Sequence, residues 1–354
     1  MRRVSIFISN LDRGGAEKQA LILAKCLNPY YEVDILIFYP ENQYLQFIEE
    51  NKLNIITLKG SVIKKLYSLL KYFRINRDTV LFNYSPINNA LGTIIGKLAG
   101  IRKIYCGIRS AGFVTAYYKV FIQKIICNRY SDLVIANSFE SLKNYSEAGF
   151  NVNKFKVIHN CIELPDFQEN NYKGRYINIL TISRFINFKG IDCSIRAIEY
   201  LITKYPYLRR EIRYKLVGYG LLQDAIENQI SASQLKDIIS IHDGRKDVTG
   251  HYKDSHIYLS TSLTEGLSNS IMEAMSFSLP VVATDVGDNR FLVKEGINGY
   301  LCNVNDYISI AEALYKIISD ENTRNRFSSM SLSTIRENFS TDIFTQEYLK
   351  LVEN

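Results

Sequence analysis

Two glutamates, Glu265 and Glu273, stand eight residues apart in the stretch Ser262–Asn289. Gly266 and a run of small polar residues lie between them, and a buried-looking strand, Pro280–Ala283, follows. If Ser268 or Ser270 caps a helix opening here, Glu265 falls in the loop facing the helix N-terminus and Glu273 about one turn inside it. Unpaired backbone N–H groups at such an end suit a phosphate, and carboxylates beside it suit sugar hydroxyls. Cations of the matching kind occur upstream in SRFINFKG, where Arg184 comes just after a predicted strand and Lys189 just before a predicted helix. A diphosphate leaving group concentrates negative charge that a planar Arg fork and a Lys point charge would stabilise. Standing alone, the two would read as solvated cations at a strand end. Near the start, Gly14 and Gly15 separate a strand from a helix, which lets backbone approach a ligand, although an ordinary βα turn looks the same. The GYG at 218–220 lacks the third glycine of a dinucleotide fingerprint, with Gln223 in its place, so that reading is rejected.

These residues have to be positioned by a regular scaffold, and the chain supplies one. Buried runs at 4–9, 33–38, 54–58, 79–83, 103–108 and 133–137 are each followed by a helical pattern. A polar, aperiodic stretch at about 157–175 reads as a linker. A second series then follows, with strands expected at 177–183, 214–220, 237–241 and 256–262, a helix at 190–204 and two late helices. Such alternation predicts parallel sheets with helices on both faces. The expected division is 1–165, 176–336 and a closing amphipathic helix, within 337–354, that packs back on the first domain.

Composition narrows the function. With 47% hydrophobic and 22% charged residues the chain is globular, and it has no apolar run of the roughly 18 residues that a membrane span needs. The N-terminal MRRVSIFISNLDRGG is interrupted too early for a signal peptide, which places the protein in the cytoplasm by expectation. Six scattered cysteines without a CxxC pair, and four histidines without zinc spacing, predict reduced thiols and no metal site. Residues 1–170 carry 22 Lys and Arg against 14 Asp and Glu, whereas residues 171–354 carry 21 against 22. Part of that excess lies on two predicted amphipathic helices. One, 61–74, places Val62, Leu66, Leu69, Leu70 and Phe73 on one face, with Lys64 and Lys71 opposite. The other, 114–129, carries Lys119, Lys124 and Arg129. Both patterns suit an anionic membrane surface and equally a surface helix packed on a sheet. No nucleic-acid-binding module is present.

Together these motifs resemble the retaining glycosyltransferases of the GT4 type, or glycosyltransferase group 1. GGAEK at 14–18 is similar to that family's loop near the donor phosphates, and Asn137–Ser138 and VIHNCIE at 157–163 to its N-S and Y-N-G-I-D stations. SRFINFKG resembles its phosphate clamp, LVGYGLL its V-G-x-G-P-L turn, GRKDV its base-facing loop, and EGLSNSIME its E-x7-E motif. The resemblance implies an α/β fold of the GT-B kind, two facing Rossmann-like domains with a cleft between them. It also implies roles: Glu265 on the donor sugar hydroxyls, Glu273 on the ribose, Arg184 and Lys189 on the diphosphate. Gly14, Gly15, Gly218, Arg245, Gly266, Leu267 and Ser268 would line the rest of the donor site. Family members of this kind generally need no metal or other cofactor. Departures are His159, Cys161, Leu221, Asp288 in place of a glycine, Phe291 in place of a glutamate, and Arg109 where many relatives carry a histidine. Arg109 and Asn137 are thereby candidates for the acceptor side.

The leading expectation is therefore a cytoplasmic hexosyltransferase on the inner face of the cell membrane. It would move a sugar from a nucleoside-diphosphate donor, UDP-linked, to a glycan on a polyprenyl-diphosphate carrier, in capsule or O-antigen synthesis. Competing readings are a sugar-nucleotide epimerase of GT-B-like fold, a glucan synthase with a soluble acceptor, and a non-catalytic partner subunit. The intact set Arg184, Lys189, Glu265 and Glu273 argues against the last.

Overall fold

A computed structural model describes residues 2–12, 14–109, 117–165 and 174–353, with only the backbone at 117–119. The chain folds as two compact units, Met1–Cys161 with Thr341–Asn354, and Ile162–Ser340.

The first unit runs β1 (Arg3–Ile8), α1 (Gly15–Leu27), β2 (Glu32–Ile37), α2 (Leu45–Glu50), β3 (Asn54–Thr57), α3 (Val62–Ile75), β4 (Val80–Tyr84), α4 (Pro86–Ala99), β5 (Lys103–Ile108), α5 (Tyr117–Tyr130), β6 (Leu133–Ala136), α6 (Phe139–Glu147) and β7 (Phe155–Val157). Its strands form one parallel sheet in the order β3-β2-β1-β4-β5-β6-β7. The central strands are buried on both faces, which is why they read as continuous apolar runs rather than alternating ones. One face packs on α1, the other on α3 and α4, with Leu69 and Phe73 of α3 fully buried against Phe7, Leu36 and Leu81.

The second unit runs β8 (Ile177–Arg184), α7 (Ile191–Lys204), β9 (Ile212–Tyr219), α8 (Gln223–Ala232), β10 (Ile239–Asp243), α9 (Thr249–Lys253), β11 (Ile257–Ser260), α10 (Asn269–Ser276), β12 (Val281–Thr284), α11 (Asn289–Leu292), β13 (Gly299–Cys302), α12 (Tyr307–Ser319) and α13 (Glu321–Asn338). Six parallel strands are ordered β10-β9-β8-β11-β12-β13. In both sheets the order reverses direction beside the first strand, the topology that places ligands at strand C-termini in open α/β sheets.

The chain then returns to the first unit through α14 (Thr341–Glu353), whose Phe344, Tyr348 and Val352 are buried in that unit's core beside α1. Where the chain leaves, Gln19 clamps Cys161 by two bonds, Nε2 donating to the Cys161 carbonyl at 2.7 Å and Oε1 accepting its N–H at 3.1 Å. All six cysteines are free, and all but Cys26 are buried.

Expected and observed elements differ in detail. The strand expected at 237–241 sits two residues later, and the helix expected at 114–129 is observed from Tyr117, its first residues and the Lys119 side chain lying outside the described residues. The middle of the expected linker, 166–173, is likewise outside them. Strands β7 and β13 were not anticipated. At three and four residues they are too short to show a period, and sheet pairing rather than sequence defines them.

Candidate functional site

Helix α10 begins as its sequence requires: Ser268 is the N-cap, and its Oγ accepts the Ile271 N–H at 3.4 Å. Glu265 lies just ahead, its side chain 14% exposed. Its Oε1 accepts from Ser262 Oγ at 2.7 Å and forms a close ion pair with Lys189 Nζ. Lys189 reaches it from the one-turn helix Asn187–Lys189 after β8. That loop is fastened to the loop after β11: Leu263 N–H donates to the Phe188 carbonyl at 2.8 Å, and Thr261 Oγ1 to the Gly190 carbonyl at 2.9 Å. The approach is so close that a Cβ on Gly190 would lie 2.2 Å from the Thr261 carbonyl oxygen, at a φ of +57° that itself favours glycine. A third loop is stitched on by Gly287, at φ +53°, where a Cβ would sit 2.2 Å from the Glu265 carbonyl oxygen. The next residue, Asp288, donates its N–H to the Gly266 carbonyl at 2.7 Å and has φ −92°. An aspartate fits there without strain because the left-handed conformation belongs to Gly287.

Glu273 sits further along α10, where its Oε2 accepts from Tyr252 Oη at 3.0 Å. Tyr252 comes from α9, is buried, and stacks on Phe277 with ring centroids 5.3 Å apart. Burial, reinforced by the Glu273 charge, pushes its phenol far above the usual range, so the hydroxyl stays a donor. Arg184 ends β8 in an exposed position, and its guanidinium has no hydrogen-bond or ion-pair partner among the described residues. Gly218 is a packing glycine: its Cβ would lie 2.0 Å from the Ser183 carbonyl oxygen. Arg245, exposed after β10, is tied to Asp243 by bonds of 2.9 and 3.0 Å and holds that carboxyl below its ordinary range. Leu267 is buried, anchoring the loop beneath Gly266. The structure thus brings Glu265, Lys189 and Ser262 into contact ahead of α10 and sets Glu273 on that helix, while Arg184 ends β8 and Arg245 follows β10, two strands separated in the sheet by β9.

The remaining candidates belong to the first unit. Gly14 is the N-cap of α1 and Gly15 its first residue. Gly14 has an extended φ of −165°, and its neighbour across the missing Cβ is the flexible end of Glu17, so its conformation does not demand glycine. Burial pushes the Glu17 carboxyl upward. Asn137 is buried and accepts from Ser141 Oγ at 3.3 Å. Arg109 is spent on its own unit: it donates to Tyr84 Oη at 2.7 Å, Tyr348 Oη at 2.6 Å and Asn160 Oδ1 at 3.3 Å, and lies over the Tyr84 ring. It therefore ties the end of β5 to α14.

Residues 164–331 match the family described as glycosyl transferases group 1. The second unit belongs to the glycosyl transferases group 1 family. Across nearly the whole chain, 99% of it and 98% of the relative, it is 23% identical to the GalNAc-alpha-(1->4)-GalNAc-alpha-(1->3)-diNAcBac-PP-undecaprenol alpha-1,4-N-acetyl-D-galactosaminyltransferase of Campylobacter jejuni. It is 25% identical to the UDP-Gal:alpha-D-GlcNAc-diphosphoundecaprenol alpha-1,3-galactosyltransferase of Escherichia coli, over 73% of this chain and 71% of that one. The crystal structure of Anabaena HepE in complex with UDP superposes with a TM-score of 0.85 at 20% identity, covering 100% of both chains, which shows the GT-B fold. Within the group 1 unit, sequence reasoning did not find Tyr252, Ser262 or Thr261. Thr261 and Tyr252 act through contacts with residues 71 and 21 positions away, and Ser262, only three residues before Glu265, has no signature that marks it among the serines of its loop. A Tyr four residues after a short basic loop is indistinguishable from a core aromatic until the fold is known.

Proposed function

We propose that the chain transfers a sugar, with retention at the anomeric carbon, from a UDP-linked donor to a glycan carried on a polyprenyl diphosphate. The product would be a bacterial-type surface polysaccharide such as capsule or O-antigen, and the enzyme would be cytoplasmic, peripheral on the inner face of the membrane. The observation that carries the reading is the Lys189–Glu265–Ser262 cluster ahead of α10, together with Arg184 at the end of β8, which has no partner among the described residues. A substrate hydroxyl can join such a cluster by accepting from Lys189 or donating to Glu265. Arg184, Lys189 and the α10 N-terminus then face the departing diphosphate. The acceptor oxygen forms a bond to the anomeric carbon on the side from which the diphosphate leaves. The bond from that carbon to the phosphate oxygen breaks, its electron pair leaves with UDP, and the acceptor hydroxyl proton passes to the departing phosphate. Glu273, braced by Tyr252, binds the ribose, Arg245 faces the base, and Arg109 and Asn137 remain acceptor-side candidates. Support for a diphosphate-lipid acceptor comes from the Campylobacter and Escherichia relatives, both named for such acceptors; the latter is also named for a UDP-linked donor, and HepE binds UDP. With cations and a helix terminus serving the leaving group, transfer is expected to persist in EDTA.

The test is UDP release from a panel of UDP-sugars with and without a lipid-diphosphate glycan. Acceptor-dependent release is expected, and Glu265→Gln should lower kcat/KM by about a hundredfold or more, in the range of a lost transition-state contact. Release from no donor in the panel, or an unaffected Glu265→Gln enzyme, overturns the reading. NMR of the product's anomeric proton decides retention.

A further inference from the structure

The layer of helices α3, α4 and α5 departs from an ordinary protein surface in two independent ways. The three helices, 14 residues each, hold eight Lys or Arg and no Asp or Glu. By contrast α1, α6 and α14 of the same unit all carry acids. The nearest carboxylates in sequence, Asp78 and Asp132, lie in connecting turns, and among the described residues only Asp132 of these two meets one of the eight, Lys97. Lys64, Lys71 and Arg74 have no ion pair among the described residues.

The second departure is apolar. Helix α4 packs against both α3 and α5, and the inner side of the layer is closed against the sheet. The outer side nevertheless leaves Ile63 79% exposed, Tyr67 67% and Leu98 69%, with Ile94, Phe121 and Ile122 each more than 40% exposed. On α3 the pair Ile63 and Tyr67 is spaced four apart, as are Ile94 and Leu98 on α4, so each helix presents a stripe rather than scattered residues. Single exposed apolar side chains need no explanation, but contiguous stripes on adjacent helices do.

We infer that the outer face of α3–α4–α5 lies on an anionic lipid bilayer, with its aliphatic and aromatic side chains entering the headgroup boundary and its lysines and arginines meeting lipid phosphates. Two alternatives fit less well. A second copy of this face would bring two acid-free basic surfaces together, and nucleic acid would leave the Ile and Leu stripes without a partner. Among the described residues no helix is long and apolar enough to cross a membrane, which fits a helix layer lying in the interface plane. The inference rests on the reading of a lipid-linked acceptor, because it gives the first unit a means of meeting a substrate held in a membrane.

Flotation of the full chain tests it, using phosphatidylcholine vesicles with and without phosphatidylglycerol and no acceptor. The protein should float with the anionic vesicles. Replacing Lys64, Lys71 and Arg74 by Gln should weaken partitioning about a hundredfold, since each basic residue near such a surface contributes about 1 kcal/mol. Leu98→Glu with Ile122→Glu should abolish flotation while leaving circular dichroism and the UDP-dependent rise in Tm unchanged. At about 1 M salt, where the screening length is about 3 Å, a fraction should still float through the apolar stripes. Failure to float with any vesicle overturns the inference, as does flotation undiminished in both variants. Concentration-dependent dimers broken by Leu98→Glu, without vesicle binding, overturn it in favour of a second copy. Acceptor-dependent UDP release in detergent is scored separately, so the docking face and the transfer reaction fail independently.

Discussion

Glu265 illustrates how a residue's chemistry depends on partners that come from elsewhere in the chain. As a lone carboxylate it is a common loop residue. Held by Ser262 and Lys189 it becomes an oriented acceptor whose charge is balanced before any substrate arrives. Glu273 is braced in the same manner by a buried phenol, and removing that brace tests its role. Tyr252→Phe should weaken UDP binding by about three- to tenfold, the effect of about 1 kcal/mol for one lost hydrogen bond, as measured by isothermal titration calorimetry. Unaltered affinity would remove Tyr252 from the site. Gly190 fixes the Lys189 loop, and Gly190→Ala combines an unfavourable φ with a Cβ 2.2 Å from a carbonyl oxygen. A stability loss of about 2–3 kcal/mol is expected in urea denaturation. At this scale the sequence was informative about residue types. The eight-residue spacing of the glutamates, the serine cap and the paired cations could all be read from it. The hydroxyls that orient them could not, because Tyr252 acquires its role only through folded proximity and Ser262, though three residues from Glu265, is one of several serines in its loop until the loop's conformation is known.

Elements carry a second layer of control. Helix α9 delivers Tyr252, and its neighbour His251 stands 4.9 Å from His242 of β10, measured between ring centroids. Burial is the main cause that lowers both imidazoles; Lys215 disfavours the charged form of each, and His242 that of His251, outweighing the opposing pull of Asp254 and Asp247 on His251. Each is therefore harder to protonate in the folded chain than in the unfolded one. Their contribution to stability is complete above the unfolded value of about 6.5 and is lost as pH falls toward the folded value. Tm should drop as pH falls below about 6.5, and His251→Asn should flatten that drop. A pH profile identical in the variant would exclude the pair as its source. Strands were the most legible elements, since a parallel strand buried on both faces is a continuous apolar run. Helix α3 was legible in its buried Leu69 and Phe73 and misleading at Val62, which was placed on the same apolar face and is 59% exposed. Amphipathic spacing places a residue on a face, but whether that end of the face meets the sheet is decided by where the helix starts.

At the scale of the whole molecule, the first unit is assembled from both ends of the chain and the second from one continuous segment. A ligand that binds only the folded protein should raise its stability by about 2.7 kcal/mol at a hundred times its dissociation constant. A thermal-shift screen of UDP, GDP and ADP sugars reads that effect directly, and UDP sugars should give the largest rise. The thiols offer a finer instrument. Cys106, Cys127 and Cys161 are buried in the first unit, and Cys193 and Cys302 in the second. Burial, with nearby acids, pushes Cys193 up to about 11 and Cys302 to about 12, so neither is a nucleophile at neutral pH while the unit stays closed. Labelling of these sulfurs should therefore wait for unfolding, and peptide mapping of the modified cysteines would time the opening of each half separately. The protein contains its own pair of clocks, one set into each sheet.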